Sequence, residues 1–315
     1  MALHTIIGAG AVGSGTALLL ANAGHDVITV TRSGSGPDHA NITNVAADAT
    51  DAEQLATIAR GSESIYNCAN PPAYHRWAEQ WPPLATAILT AAEATGARLV
   101  TMGNLYGYAP GSSPMCATDP LDPPTPNGEV RVTMWQQALA AHEAGRVSVT
   151  EVRASDYVGP GLGDSSHLGD RFVPRILAGR SVPVFGDPDM PHSWSYIGDV
   201  CRTVATVGLD DRADGRAWHV PTLAPMSAQA MADAFADAAG VDRIKVTRLP
   251  RTMLRIGSIF VPLLRALLPM SYQFDEPFEI DAADTTDTFQ LTPTPLDDQL
   301  RATLAGYGAT DLADR

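Results

Sequence analysis

Over the first 150 residues, short apolar runs alternate with longer stretches in which apolar positions recur every three or four residues. Thr5–Ile7, Asp26–Thr31, Ile42–Asn44, Ser64–Cys68, Arg98–Met102 and Ser148–Arg153 have the short-run pattern of strands. Between them, Val12–Ala23, Ala52–Ala59, Pro83–Thr95 and Val130–Glu143 have helical spacing. Strand–helix alternation with short loops predicts an α/β fold built on a doubly wound parallel sheet with right-handed crossovers. Gly159-Pro160-Gly161 and the Gly/Asp/Ser run to Gly169 mark an exit from that sheet. Arg216–Pro221 reads as one more strand returning to it, and Ser227–Ala239, Arg251–Leu268 and Leu296–Ala305 read as helices. The expected division is a nucleotide-binding domain over residues 1–160, with return segments in 194–221. A smaller discontinuous C-terminal cap domain would comprise 161–193 and 222–315.

Composition narrows the function classes. With 315 residues and 45% hydrophobic content the chain is long enough for a sizeable core. Lys+Arg is 21 against Asp+Glu 35, a net charge of −14, which disfavours nucleic acid and anionic membrane surfaces as partners. Cys68, Cys116 and Cys201 are too scattered for a disulfide framework or a metal knuckle and suit a reducing compartment. The N-terminus lacks a basic signal-peptide region, and the apolar stretch Ile256–Leu268 is too short to span a bilayer and contains Arg265, so the expectation is a cytoplasmic protein. No H-x-x-x-H, HExxH or G-x-S-x-G pattern points to a metal or a serine nucleophile. Twenty of the 21 basic residues are arginine, and Lys245 is the only lysine. Any chemistry that needs a lysine has one candidate.

Gly8-Ala9-Gly10-Ala11-Val12-Gly13 is a G-x-G-x-x-G run between an apolar strand and an Ala/Leu-rich helix. Gly8 permits the tight turn, Gly10 lets backbone approach a pyrophosphate, and Gly13 allows close helix–strand packing; the N–H groups around Ala11 and Val12 face the phosphates. This is the dinucleotide-binding fingerprint of a Rossmann-like fold. The second strand ends in Thr31-Arg32-Ser33-Gly34, with a guanidinium and no carboxylate, which favours NADP(H) over NAD(H). Asp48, followed by Ala49, is placed to accept a hydrogen bond from the adenine amino group, to cap the helix beginning near Asp51, or both.

These residues, with several downstream, resemble the extended and atypical short-chain dehydrogenases, the group that includes NAD-dependent epimerases and dehydratases. Tyr66-Asn67-Cys68-Ala69-Asn70 stands where that family ends its fourth strand, so the resemblance implies cofactor contacts at Cys68, Ala69 and Asn70. Leu105-Tyr106-Gly107 is similar to its V-Y-G, Arg153-Ala154-Ser155-Asp156 to its R-P-x-N, Tyr196–Val200 to its V-x-D-V junction and Pro293–Leu296 to its T-P-L turn. The family's chemistry rests on Tyr-x-x-x-Lys with a Ser or Thr. None of the eight tyrosines here has a lysine four residues on. At the corresponding helix start, either Asn127/Arg131 or Glu129/Thr133 replaces the pair, and in the first register Arg131 would still bond the ribose. The family's hydroxyl residue falls on Met102. Asp156, in place of an asparagine, disfavours a diphosphate-bearing substrate.

Candidates for the lost acid are Tyr106, Asn104, Tyr74 and His75, on loops at the C-terminal ends of strands, where open α/β sheets bind ligands. His192-Ser193-Trp194-Ser195 lies at the cap edge and either lines the cleft or serves as core or hinge. The Arg251–Leu268 helix suits ordinary core, with a lid over an apolar substrate or a homodimer interface as alternatives. The leading functional expectation is an NADP(H)-dependent oxidoreductase acting on a small, largely apolar carbonyl or alkene-type substrate. The alternatives are an epimerase or dehydratase with tightly held NAD(P), and a catalytically silent NAD(P)-binding regulatory protein.

Overall fold

The computed structural model describes residues 1–163 and 166–309, so Asp164 and Ser165 of the predicted exit loop lie outside the described residues. The first half runs β1 (Leu3–Ile7), α1 (Ala11–Asn22), β2 (Asp26–Thr31), β3 (Ile42–Ala46), α2 (Ala52–Ile58), β4 (Ser62–Asn67), a 3-10 turn at Tyr74–Arg76, α3 (Trp77–Thr95), β5 (Arg98–Asn104), α4 (Pro126–Glu143) and β6 (Val149–Ala154). The second half runs β7 (Tyr157–Val158), α5 (Val173–Leu177), β8 (Val182–Val184), β9 (Ser195–Tyr196), α6 (Ile197–Gly208), β10 (Ala217–His219), α7 (Ala228–Ala239) and β11 (Val246–Arg248). Helices α8 (Arg251–Phe260), α9 (Pro262–Leu267), α10 (Tyr272–Asp275), α11 (Ala283–Phe289) and α12 (Leu296–Gly306) complete it.

Seven strands form one parallel sheet in the order β10-β6-β5-β4-β1-β2-β3, reversing direction of winding beside β1. That reversal opens the crevice in which such sheets take ligands. Helices cover both faces. One core packs α1 and α6 on the sheet through Ile6, Leu20, Val200 and Val204, and the other packs α3 and α4 through Ile65, Ile88, Leu99 and Trp135. β6 is buried along its whole length, so its six residues show no alternation. Local signals start the helices: Asp51 Oδ1 accepts from Gln54 N, Thr125 Oγ1 from Gly128 N and Ser227 Oγ from Ala230 N, each cap contributing about 1 kcal/mol. Outside the sheet, α5, α7, α12, β8 and β11 enclose a separate core around Phe172, Phe235 and Leu300.

Two motifs far apart in sequence meet. Asp199, buried at the start of α6, accepts from Thr294 N at 2.8 Å and Thr294 Oγ1 at 2.5 Å, tying the T-P-L turn to the sheet domain.

Two helices differ from the pattern-based expectation. α3 begins at Trp77, six residues early, and carries Pro82 and Pro83 inside it. Buried Trp77 and Trp81 anchor this first stretch, which compensates for the two N–H groups that proline lacks. The expected helix Arg251–Leu268 is broken at Val261–Pro262, and it is not core: of α8 only Leu254 is buried.

Candidate functional site at the carboxyl ends of the strands

The β1–α1 turn has the stereochemistry of a phosphate cradle. Gly8 has φ +94°, and a Cβ there would lie 2.8 Å from the backbone of Ala69; a Cβ on Gly13 would lie 1.9 Å from the Gly8 carbonyl oxygen. Those two glycines are demanded by packing. A Cβ on Gly10, by contrast, would meet nothing within 4 Å. Gly10 also caps α1 without a side-chain hydrogen bond, and the first turn of α1 has no acidic residue. The amides at Ala11 and Val12 therefore open onto a space suited to an anionic group. Cys68 and Ala69 close the opposite side, and burial pushes the Cys68 thiol well up, so it behaves as an inert wall.

Arg32 and Ser33 are exposed at the tip of β2, and no carboxylate stands beside them in Thr31–Ser35. Asp48 is exposed and its Oδ1 accepts from Thr50 N (2.9 Å) and Thr50 Oγ1 (2.8 Å), which holds its carboxyl below the usual range. The cap of α2 is Asp51, not Asp48.

At α4 the two registers differ in burial. Glu129 and Thr133 are exposed, while Arg131 is buried and faces the sheet. Arg131 Nη2 donates to the Met102 carbonyl, and its guanidinium carbon lies 4.6 Å from the Trp81 ring centroid. Burial draws the Arg131 pKa down. Asn127 Nδ2 donates to the Tyr74 carbonyl at 3.2 Å and so secures the loop that carries Tyr74.

Tyr74, Trp77 and Tyr106 form an aromatic cluster, Tyr74 meeting Tyr106 edge-on at 6.3 Å and Trp77 at 4.6 Å. Burial pushes the Tyr106 phenol well above its ordinary range, with Tyr74 and the Asp156 charge adding to the effect. The Tyr74 phenol is likewise raised, mainly by burial. Both are hydrogen-bond donors at neutral pH and poor bases. Asn104 Oδ1 accepts from Tyr106 N at 3.2 Å and so fixes the turn that presents Tyr106. His75 is exposed and is not gathered into the cluster.

In sequence Asp156 stands out only as a departure from the family pattern, and His192 fits cleft and core equally. The fold brings them together: His192 Nε2 lies 3.0 Å from Asp156 Oδ2 and 3.2 Å from Ser155 Oγ. His192 Nδ1 faces the Gln273 carbonyl at 3.2 Å, and a carbonyl only accepts, so Nδ1 carries a proton. Phe274 stacks parallel on His192 at 5.1 Å and on His167 at 4.0 Å. Burial alone would raise the Asp156 carboxyl; the hydrogen bond from His192 and that residue's charge outweigh it and hold the group ionised. The Asp156 side chain is 27% exposed, against 4% for His192. Tyr272 from α10 completes the group, close enough to add to the upward shift of the Tyr74 and Tyr106 phenols. His167, Tyr272, Gln273 and Phe274 had no sequence signal.

Next to this cleft Arg153 is structural. Its Nε donates to Glu151 (2.6 Å) and its Nη1 to Tyr108 Oη (2.6 Å); Tyr108 donates to His219 Nε2 (2.7 Å), and His219 Nδ1 to the Asp281 carbonyl (3.0 Å). From Arg153 Nη1 through Tyr108 to His219 Nδ1, each donor in this buried chain meets an acceptor.

Residues 5–220 match the model of the NAD dependent epimerase/dehydratase family. The chain belongs to that family. It is 32% identical over 101 residues to a dTDP-glucose 4,6-dehydratase of Actinoplanes sp., covering 32% of this chain and 31% of that one. It is 28% identical over 124 residues to the dTDP-glucose 4,6-dehydratase of Streptomyces griseus, covering 39% of this chain and 37% of that one. The matched stretch thus spans about a third of the length of these curated relatives. Among solved structures, the dTDP-glucose 4,6-dehydratase of Streptomyces venezuelae with NAD bound superposes with TM-score 0.76 at 20% identity, covering 97% of each chain. The UDP-glucose 4-epimerase of Thermotoga maritima gives 0.79 at 18% identity, covering 98% of this chain and 99% of that one. At these identities the superpositions establish the fold. The family match favours the epimerase/dehydratase alternative over the apolar-carbonyl oxidoreductase expected first.

Proposed function

We propose that this chain is an NAD(P)-dependent enzyme of the epimerase/dehydratase type in which Asp156 and His192 handle protons in place of the tyrosine–lysine pair. The observation that carries this reading is the 3.0 Å contact between an ionised, partly exposed carboxylate and a buried histidine, in the same cleft as the Tyr106 and Tyr74 phenols.

The residues present fit a dinucleotide. The amides around Gly10 would take its pyrophosphate, and Arg32 and Ser33 its adenosine ribose, with the guanidinium favouring NADP(H). Asp48 and Ala49 would border the adenine. Cys68, Ala69, Asn70, Met102 and Arg131 would line the nicotinamide half. When bound, that group supplies the hydride acceptor and donor.

The protein's own part is proton traffic and polarisation. Asp156 accepts the proton of a substrate hydroxyl as that alcohol becomes a carbonyl, and His192 stabilises the result through Nε2. Tyr106 donates a hydrogen bond to the new carbonyl oxygen, which a phenol held protonated by burial does well. On this reading Tyr74 orients Tyr106, Asn104 sets its turn, and His75 stands at the rim.

Relatives named for dTDP-glucose and UDP-glucose suggest a hydroxylated substrate. Asp156 argues against a diphosphate beside it, since two like charges ~4 Å apart cost about 4 kcal/mol at a partly screened site. The reading is therefore a hydroxyl or carbonyl compound without phosphate near Asp156. The pair of protonated phenols also supports a second reading, net reduction of an apolar carbonyl.

Turnover of a panel of hydroxylated and carbonyl compounds by the full chain, with and without Asp156→Asn, tests this. Product formed without net change in nicotinamide absorbance, and lost about 100-fold in the variant at unchanged cofactor affinity, is expected. Stoichiometric nicotinamide oxidation would establish the second reading. Wild-type turnover by Asp156→Asn would overturn the role given to Asp156 and His192.

A further inference from the structure

Helix α8 is amphipathic, yet its apolar stripe is left uncovered. An amphipathic helix on a globular body places its apolar stripe against the core. Here Leu254 alone turns inward, and with the exposed Arg251 and Arg255 it borders a cavity of about 320 Å³. Ile256, Ile259 and Phe260 point outward, 62%, 67% and 79% exposed. Met253, Val261 and Leu263 extend this apolar face across the Val261–Pro262 break into α9.

Charge around this face is the reverse of the rest of the chain. Between residues 243 and 274 stand Arg243, Lys245, Arg248, Arg251, Arg255 and Arg265 and no acidic residue; all 35 acidic residues lie elsewhere. Arg248 and Arg251 share Asp275, and Arg243 pairs with Asp237. Lys245, Arg255 and Arg265 have no carboxylate partner among the described residues. The net charge of −14 is thus an average that conceals one cationic, apolar region.

We infer that α8 and α9 form a docking surface for an anionic lipid bilayer. Phe260 and the exposed isoleucines would enter the boundary between headgroups and acyl chains, while Lys245, Arg255 and Arg265 meet lipid phosphates. No helix among the described residues is long and apolar enough to cross a membrane, so the association is peripheral. A second copy of the chain fits less well. A two-fold contact through this face would oppose two cationic rims, and a contact with an acidic face elsewhere would not close. α9 packs on the Tyr74–Arg76 turn, so docking would set the mouth of the cleft at the bilayer.

Co-sedimentation of the full chain with phosphatidylcholine vesicles, with or without a third of phosphatidylglycerol, tests it. Binding to the anionic vesicles should exceed binding to neutral ones by about fivefold or more and fall with salt. Ile256→Asp with Phe260→Asp, and separately Arg255→Glu with Arg265→Glu, should reduce it to the neutral-vesicle level while leaving the circular dichroism spectrum and Tm unchanged. Absence of binding to anionic vesicles, or binding indifferent to both variants, would overturn the inference. So would a dimer in solution, abolished by Ile256→Asp and Phe260→Asp, with no vesicle binding.

Discussion

Asp156 and His192 lie 3.0 Å apart across the junction of sheet and cap, one just after β6 and the other just before β9. With Nδ1 of His192 committed to the Gln273 carbonyl, the proton between Nε2 and Oδ2 is the one proton of the pair that can move toward a substrate. Replacing His192 with Phe retains a flat ring against Phe274 and removes both nitrogens. Turnover should fall about 100-fold while dinucleotide affinity, measured by titration, stays within about twofold of wild type.

The three fingerprint glycines should separate folding from binding. Gly13→Ala forces a Cβ to 1.9 Å from the Gly8 carbonyl and should destabilise the chain by several kcal/mol, on the order of an overpacked core. Gly10→Ala has open space and an ordinary φ of −73°, so urea unfolding should shift by less than about 0.5 kcal/mol. Its added methyl occupies the space assigned to the pyrophosphate, and cofactor affinity should drop tenfold or more, about 1.4 kcal/mol.

Arg131 holds the Met102 carbonyl and stacks on Trp81. Arg131→Met leaves that buried carbonyl without its donor and should cost about 1–3 kcal/mol in urea unfolding. A stability equal to wild type would show that the site gains nothing from the buried guanidinium.

Acid should destabilise the protein before its carboxylates titrate. Burial draws His219 down to about 4 from an unfolded value of 6.5, and His4, buried beside His25, moves the same way. Below pH 6.5 the unfolded chain binds more protons than the folded one, so stability is complete above that pH and declines as pH falls toward 4. His219 alone accounts for roughly 3 kcal/mol across this window. Unfolding free energies measured at intervals from pH 7 to pH 4 should show the decline, and His219→Gln should reduce it, leaving the part due to His4.

Much of this fold was legible in sequence because the alternation of apolar runs is local. β2 was placed to the residue, and Arg216–Pro221 returned to the sheet as β10 beside β6. Pro82 and Pro83 hid the first turns of α3, since proline usually ends a helix and here buried tryptophans override it. α8 has the apolar content of a core helix, and composition alone does not say which face turns inward. At the site, the glycine turn is legible because Gly8 and Gly13 answer to close backbone approaches. The register at α4 was not, because Asn127/Arg131 and Glu129/Thr133 fit the spacing equally until burial distinguishes them. Asp156 and His192 are 36 residues apart, and Tyr272 and Gln273 come from the cap, so no spacing rule could join them.

The most direct measurement is an equilibrium titration of the full-length protein with NADPH and with NADH, followed by energy transfer from tryptophan and repeated with Gly10→Ala. The account predicts Kd values of about 10 μM or tighter for at least one dinucleotide, with NADPH the tighter, and loss of that binding in a variant that remains folded. Binding of neither below about 1 mM, or equal binding by Gly10→Ala, would contradict it.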